Sequence, residues 1–192
     1  KDLCQNAIKH LSVVTGFDRM MIYQFDQDHH GEVIAEKKPD AIHSYLGLKF
    51  PASDIPAQAR KLYLTNIMRG IWNVDDKPSP IIPTIRKTDN KPSDLSSALF
   101  RSVSPIHITY LKNMGVKASF SISIVVKEKL WGLILCHHYG APLQLNIHQR
   151  RACLFIGKML SYKIENIEKS RLVDSYKRKL STLQEVLKSL QA

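Results

Sequence analysis

Hydroxyls, arginines and imidazoles at a few positions of this sequence have the chemistry to hold an acidic ligand. In Ser119–Val126, SFSISIVV, serines alternate with apolar residues, so Ser119 and Ser121 share one face of a half-buried strand. Hydroxyls that face a core need partners. They fit a hydroxyl-paired or exposed sheet face, or a surface that donates to an acidic group. Arg69 and Arg101 could add charge-assisted pairs to carboxylates. A stiff hexapeptide, Pro51-Ala52-Ser53-Asp54-Ile55-Pro56, sets Asp54 at the mouth of a helix. Its two prolines remove two amide donors, and the residue before each is pushed towards extended geometry. The helix that follows, from about Ala57, carries Arg60, Tyr63 and Arg69. An acid at its start and bases further on could grip a ligand that has both donors and acidic groups.

Two histidines stand out beside them. His107 follows Pro105 on a helix and reads either as a packed core histidine or as a ligand contact. His137 sits in Cys136-His137-His138, but a zinc site needs further ligands at suitable spacing, and His29 and His30 lie in another turn. No metal site is expected. The sequence has no dinucleotide fingerprint, P-loop or nucleophile elbow. After His148 the C-terminal helix has no histidine to act as a phospho-acceptor. The chain is read as a non-enzyme.

The elements that must position these groups follow from periodicity. Residues 2–14 space Leu3, Ala7, Leu11 and Val14 as a lead-in helix that Gly16 can stop. Arg19–Phe25 and Glu32–Glu36 flank the turn sequence DQDHHG and predict a β-hairpin. A short strand is expected over Gly70–Val74. Residues 75–93 carry Pro78, Pro80, Pro83 and Pro92 and predict a long loop, which in a compact domain is functional or mobile. Ser93-Asp94 could cap a short helix through Phe100. Ser104–Met114 predicts a helix with Pro105 in its first turn. Leu130–His138 pairs with the serine strand. From Asn146 to Leu190 the pattern is one long helix or two in line, and Val173, Tyr176, Leu180, Leu183, Leu187 and Leu190 form a coiled-coil seam.

Composition sets outer limits. The chain has 192 residues, 44% hydrophobic and 23% charged, enough for one domain plus an appendage. It opens on Lys1 rather than Met and reads as part of a longer protein. No run of about 18 apolar residues suggests a membrane span. Cys4, Cys136 and Cys153 are few, scattered and odd in number, which suits free thiols in a reducing, cytoplasmic compartment. The net charge of +11 comes from lysines scattered along the chain. A nucleic-acid face would concentrate them on one element.

Three blocks carry a family resemblance: PASDIPAQARKLYL at Pro51–Leu64, RSVSPIHITYLKNMG at Arg101–Gly115 and LWGLILCHH at Leu130–His138. In this order they resemble the chromophore-binding GAF domain of phytochromes over roughly residues 15–165. The resemblance implies an α+β fold, a central antiparallel sheet flanked by helices, with a GAF domain over 1–165 and a long C-terminal signalling helix over 146–192. It implies a linear tetrapyrrole as cofactor. Arg69, Arg101, Tyr63, Ser104, Ser119 and Ser121 would surround its two propionates. His107 would lie near the pyrrole nitrogens and His137 at the carbonyl of the terminal ring. The Asp54 carbonyl would meet the pyrrole N–H groups, and its side chain the next domain. Phe50, Tyr23, Tyr110, Met21, Ile55 and Met114 would form the shell around the rotating ring.

One departure matters. Plant and cyanobacterial members carry a thioether-forming cysteine just before the matched histidine, and here that position is Ile106. The pattern SPIH is similar to bacteriophytochromes, in which biliverdin is held by a cysteine of a preceding PAS domain. No attachment cysteine is therefore assigned within this chain. Biliverdin or a related bilin would be bound non-covalently or be absent. The resemblance also implies a homodimer through the C-terminal helix, neighbouring PAS and PHY domains, and a histidine kinase output beyond the chain. Two rivals remain: a pigment-less GAF dimerisation module, and a GAF sensor for a small ligand such as a cyclic nucleotide.

Overall fold

The computed structural model describes residues 2–98 and 101–190, and within the last helix not the side chains of 185 and 187–189. Its centre is a six-stranded antiparallel sheet. Strands β1 (Arg19–Phe25), β2 (Gly31–Lys37), β3 (Lys49–Phe50), β4 (Met68–Ile71), β5 (Ala118–Val126) and β6 (Lys129–His138) lie in the order β3-β2-β1-β6-β5-β4. Four helices accompany it: α1 (Asp2–Thr15), α2 (Ala57–Thr65), α3 (Pro105–Asn113) and α4 (Ile147–Leu190). Both hairpins are where the turn chemistry predicts them. The β5–β6 turn runs through Lys127 and Glu128 with φ of 49° and 61°, the left-handed pair of a tight two-residue hairpin.

Strand alternation sends side chains to two different cores. On one face Met20, Ile22, Phe120, Ile122, Ile134 and Cys136 pack against Ile8 and Leu11 of α1 and Cys153, Leu160 and Ile164 of α4. Burying each aliphatic side chain there contributes roughly 1.5–3 kcal/mol. The buried stripe of α1 is Cys4, Ile8, Leu11, Ser12 and Thr15. It is turned by one position from the expected Leu3, Ala7 and Val14, which pack only partly. Gly16, at φ 73°, ends the helix as foreseen. On the opposite face Met21, Tyr23, Phe25, Val33 and Leu133 meet Tyr45, Phe50, Ile55 and Tyr63.

Three expectations need correction. α2 ends at Thr65, so Arg69 is not on that helix but on β4. The strand expected at Gly70–Val74 is β4, two residues earlier, because its ladder with β5 pairs Met68 to Ile71 with Ile122 to Ser119. No helix forms over 93–98: Asp94 accepts the Ser96 amide at 2.8 Å in a local turn, and the expected end at Phe100 lies outside the described residues. Residues 75–93 are the expected loop, with an Arg86–Asp89 ion pair at 2.5 Å and one bridge between Ile85 and Pro92.

Candidate functional site

The sheet register assembles the polar groups. Arg69 stands opposite Ser121, Ser121 opposite Leu135, and Leu135 opposite Met21. The neighbouring rank runs Ser119, His137, Arg19, and the next Ser123, Leu133, Tyr23. These residues share one face, and Ser119, Ser121, Ser123 and His137 are all buried. Tyr63 of α2 lies over the row. Ser123 Oγ donates to the Tyr63 carbonyl at 2.7 Å, and Ser121 hydrogen-bonds the Tyr63 hydroxyl. Burial pushes that phenol's pKa up, against the opposing pull of Ser121, Arg69 and Arg101.

Two guanidiniums flank the row. Arg69 donates through Nη2 to the carbonyls of Arg101 and Ser102, the latter at 3.0 Å. Burial and the nearby charge of Arg101 lower its pKa to about 10, while Tyr63 opposes the shift. Like charges set side by side in a half-buried place favour an anion between them. Arg60 does different work from that expected. Its Nη1 donates to the Ile55 and Ala52 carbonyls, at 2.5 and 3.3 Å, and so holds the proline-bracketed turn in shape. Asp54 stands exposed at the apex of that turn, with its amide on the Pro51 carbonyl at 3.1 Å.

His137 and His138 differ in whether a carboxylate lies beside the ring. His138 pairs with Asp18 at 2.8 Å, and the same carboxylate accepts the Tyr139 amide. The Nδ1 of His137 is sealed from solvent with no hydrogen-bond partner. Burial, then the charges of Arg19 and His107, drive its pKa down to about 3, so it is neutral. His107 is stacked on Tyr110, with ring centroids 6.3 Å apart, and burial and Arg69 lower its pKa. No group of three or more His, Cys, Asp or Glu among the described residues could hold a metal ion.

The apolar shell is gathered only in part. Met21, Tyr23, Phe50 and Ile55 form one cluster, with the Tyr23 and Phe50 rings 5.9 Å apart. Burial and the charges of Asp54 and Tyr110 push Tyr23 up to about 12. Tyr110 is half exposed and senses Asp54 in the same way. Met114 is not brought to this group: it caps α3 and packs with Ile71, Val74, Leu111 and Val116. Ser104 is the exposed N-cap of α3 and makes no side-chain capping bond.

Sequence reasoning missed an ion pair at this face. Arg19 and Glu36 are buried together, 3.4 Å apart, with side chains 2% and 3% exposed. Arg19 donates to the His43 carbonyl and lies 3.9 Å over the Tyr45 ring. Glu36 accepts from Ser44 Oγ at 2.5 Å and from the Tyr45 amide. The pair thereby fixes the segment that leads to Phe50. One signal was available: Arg19 has the strand parity of Met21 and Tyr23. A cleft of about 400 Å3 lined by Leu3, Met159, Tyr162 and Ile167 lies instead along the α1–α4 groove.

The family model for the GAF domain matches residues 1–166. Among relatives, a bacteriophytochrome of Xanthomonas campestris is 55% identical over 132 residues, covering 69% of this chain and 21% of that protein. Cyanobacterial phytochrome B of Nostoc is 48% identical over 169 residues, covering 88% and 22%. The chain thus spans about a fifth of the length of these relatives. A solved chromophore-binding domain of a bacteriophytochrome from R. palustris superposes with a TM-score of 0.83 at 43% identity, covering 88% of this chain and 55% of that one. That of Stigmatella aurantiaca gives 0.79 at 45%, covering 85% and 53%. The chain belongs to the GAF domain family and, within it, is similar to the chromophore-binding domains of bacteriophytochromes.

Proposed function

We propose that this chain is the bilin-binding module of a red/far-red photoreceptor. The observation that carries the proposal is the register that ranks Arg69 and Ser121 beside Ser119 and His137 on one buried face. The donor set suits a flat, apolar dianion. Arg69, Arg101, Tyr63, Ser104, Ser119 and Ser121 would hold two carboxylates by charge-assisted bonds. The sealed Nδ1 of His137 would meet a carbonyl at the far end, and His107 would stand by the pyrrole nitrogens. The Asp54 carbonyl would accept from their N–H groups, with Ile55, Phe50, Tyr23, Tyr110 and Met21 as apolar shell; Met114, packed against Ile71 and Leu111, is left out of it. A bound bilin supplies light absorption and an isomerisable double bond. The chain's residues orient it, exclude water and keep His137 neutral.

Within this chain we take binding to be non-covalent, with biliverdin as the bilin. Ile106, at the family's cysteine position, is an exposed aliphatic side chain. Burial raises the thiol pKa of Cys4, Cys136 and Cys153, so none is a ready thiolate. We read residues 1–165 as the sensory domain and 146–192 as its signalling helix, which self-associates and joins PAS, PHY and kinase domains of a longer cytoplasmic protein. Val173, Tyr176, Leu180, Leu183 and Leu190 are exposed along that helix, which suits a dimer seam; the Leu187 side chain lies outside the described residues. The test is an absorption spectrum after mixing the chain with biliverdin. The expected result is a sharpened red band that changes under red light, is lost on denaturation, and is weakened in Arg69→Ala and His137→Ala. A spectrum that stays that of free pigment, with or without the upstream domain, would favour the pigment-less dimerisation module.

A further inference from the structure

The end of the β5–β6 hairpin is fastened to α4 by one stripe of that helix. The ladder is irregular between Ile124 and Val125: Ile124 faces Gly132 and Val125 faces Leu130, which leaves Trp131 as a bulge residue. Two donors at the bulge, one backbone amide and one indole, go to α4. The Val125 amide donates to Ser161 Oγ at 3.1 Å, and Trp131 Nε1 donates to Glu168 at 3.1 Å. Between them Glu165 accepts the Lys127 amide at the turn. Ser161, Glu165 and Glu168 are spaced four and three residues apart, so they lie on one helix face. One turn earlier Gly157 allows the close approach: a Cβ there would lie 2.6 Å from Ile122 Cγ2. Ser161 Oγ is tied back to the Gly157 carbonyl at 2.9 Å.

The other face of the same strand carries Ser121 and Ser123, both bonded to Tyr63 of α2. Beyond Glu168, the described side chains of α4 are exposed apart from Ser175. The hairpin is thus the last part of the sheet that α4 touches before it leaves the domain. We propose that the stripe Gly157, Ser161, Glu165 and Glu168 is a clasp that passes the state of the serine face, through β5 and its bulge, to the free length of α4. It deepens the photoreceptor reading by naming the route of the signal, and rests on that reading only for what moves β5. Bulges re-aim residues at functional places. Coupling through a packed strand and three hydrogen bonds needs no contact between ligand and helix.

The test is a double-mutant cycle read by amide hydrogen exchange on the whole chain without pigment. Ser123→Ala removes the bond to Tyr63, and Trp131→Phe removes the bond to Glu168 while keeping an aromatic ring. Ser123→Ala alone should raise exchange over residues 161–176 about fivefold, a typical coupling between sites. In the Trp131→Phe background it should add nothing, and Ser161→Ala, where folded by circular dichroism, should behave alike. An unchanged α4 in Ser123→Ala, or the same factor in both backgrounds, overturns the clasp. A second arm adds biliverdin: no red band in the parent chain counts against the pigment reading and leaves the cycle to decide the clasp. A red band whose light-driven change in α4 exchange persists fully in Trp131→Phe counts against the clasp alone.

Discussion

Sealing Nδ1 of His137 away from water couples this residue to pH. Its folded pKa of about 3 lies below the ordinary 6.5. The unfolded chain therefore binds the proton first. The native state keeps its full stability above pH 6.5 and loses about 1.4 kcal/mol per unit as pH falls towards 3. Urea unfolding at pH 7 and pH 5 should show the parent losing roughly 2 kcal/mol more than His137→Gln. Equal losses would mean that the imidazole is protonated inside the fold. Arg19 and Glu36 make a second residue-scale case. A buried pair is not itself strong support for a fold, but removing one partner strands the other's charge. Glu36→Ala should cost about 3–5 kcal/mol in denaturant unfolding, and the double variant Arg19→Met/Glu36→Leu should recover most of it. A cost under about 1 kcal/mol for the single change would show that Arg19 finds water.

Among the elements, β1, β6 and β5 decide the site, because a slip of one residue in any of them would turn its polar set to the other face. Gly132 guards that register. It faces Gln24 across the β1–β6 ladder, and a Cβ there would run into the Tyr23 carbonyl oxygen. Gly132→Ala should destabilise by about 1–3 kcal/mol, as overpacking does, and thermal unfolding will show it. A melting temperature equal to the parent's would mean that β1 moves aside at little cost. β5 was legible because its serine and apolar residues alternate with period two, β1 because it is an apolar, partly β-branched run before turn residues, and β6 because it follows the turn at Lys127-Glu128-Lys129. Arg69 was not, because PASDIP and the helix behind it suggested a longer helix than forms. The chain leaves α2 at Thr65, and the ladder to β5, a long-range pairing, claims Met68 to Ile71.

The molecule as a whole is a sheet with a long lever. α4 has 44 residues, and about half of them extend past the last contact with the sheet. An exposed apolar stripe of that length asks for a partner. Light scattering should find a dimer in the parent, and Leu180→Glu with Leu183→Glu should shift it to monomer without altering the red band. A monomeric parent, or a variant that stays dimeric, would place any self-association elsewhere, for instance at the α1–α4 groove. None of the described helices is long and apolar enough to cross a bilayer. The charge of +11 comes from lysines and arginines spread along the sequence.

The sequence by itself determined the hairpins, the helices about Pro105 and beyond Asn146, the alternating serine strand and the family-like blocks. Each rests on local periodicity or on a contiguous motif, and neither needs a distant partner to be read. Only the tertiary structure decided which strands are neighbours. It set Arg69 opposite Ser121, joined Arg19 to Glu36, separated Met114 from the other shell residues and left His137 Nδ1 without a partner. It also showed the bulge beside which the Val125 amide and the Trp131 indole reach α4. All of these depend on pairings between residues far apart in the chain, and a pairing is settled by packing and register rather than by the propensities of the residues that make it.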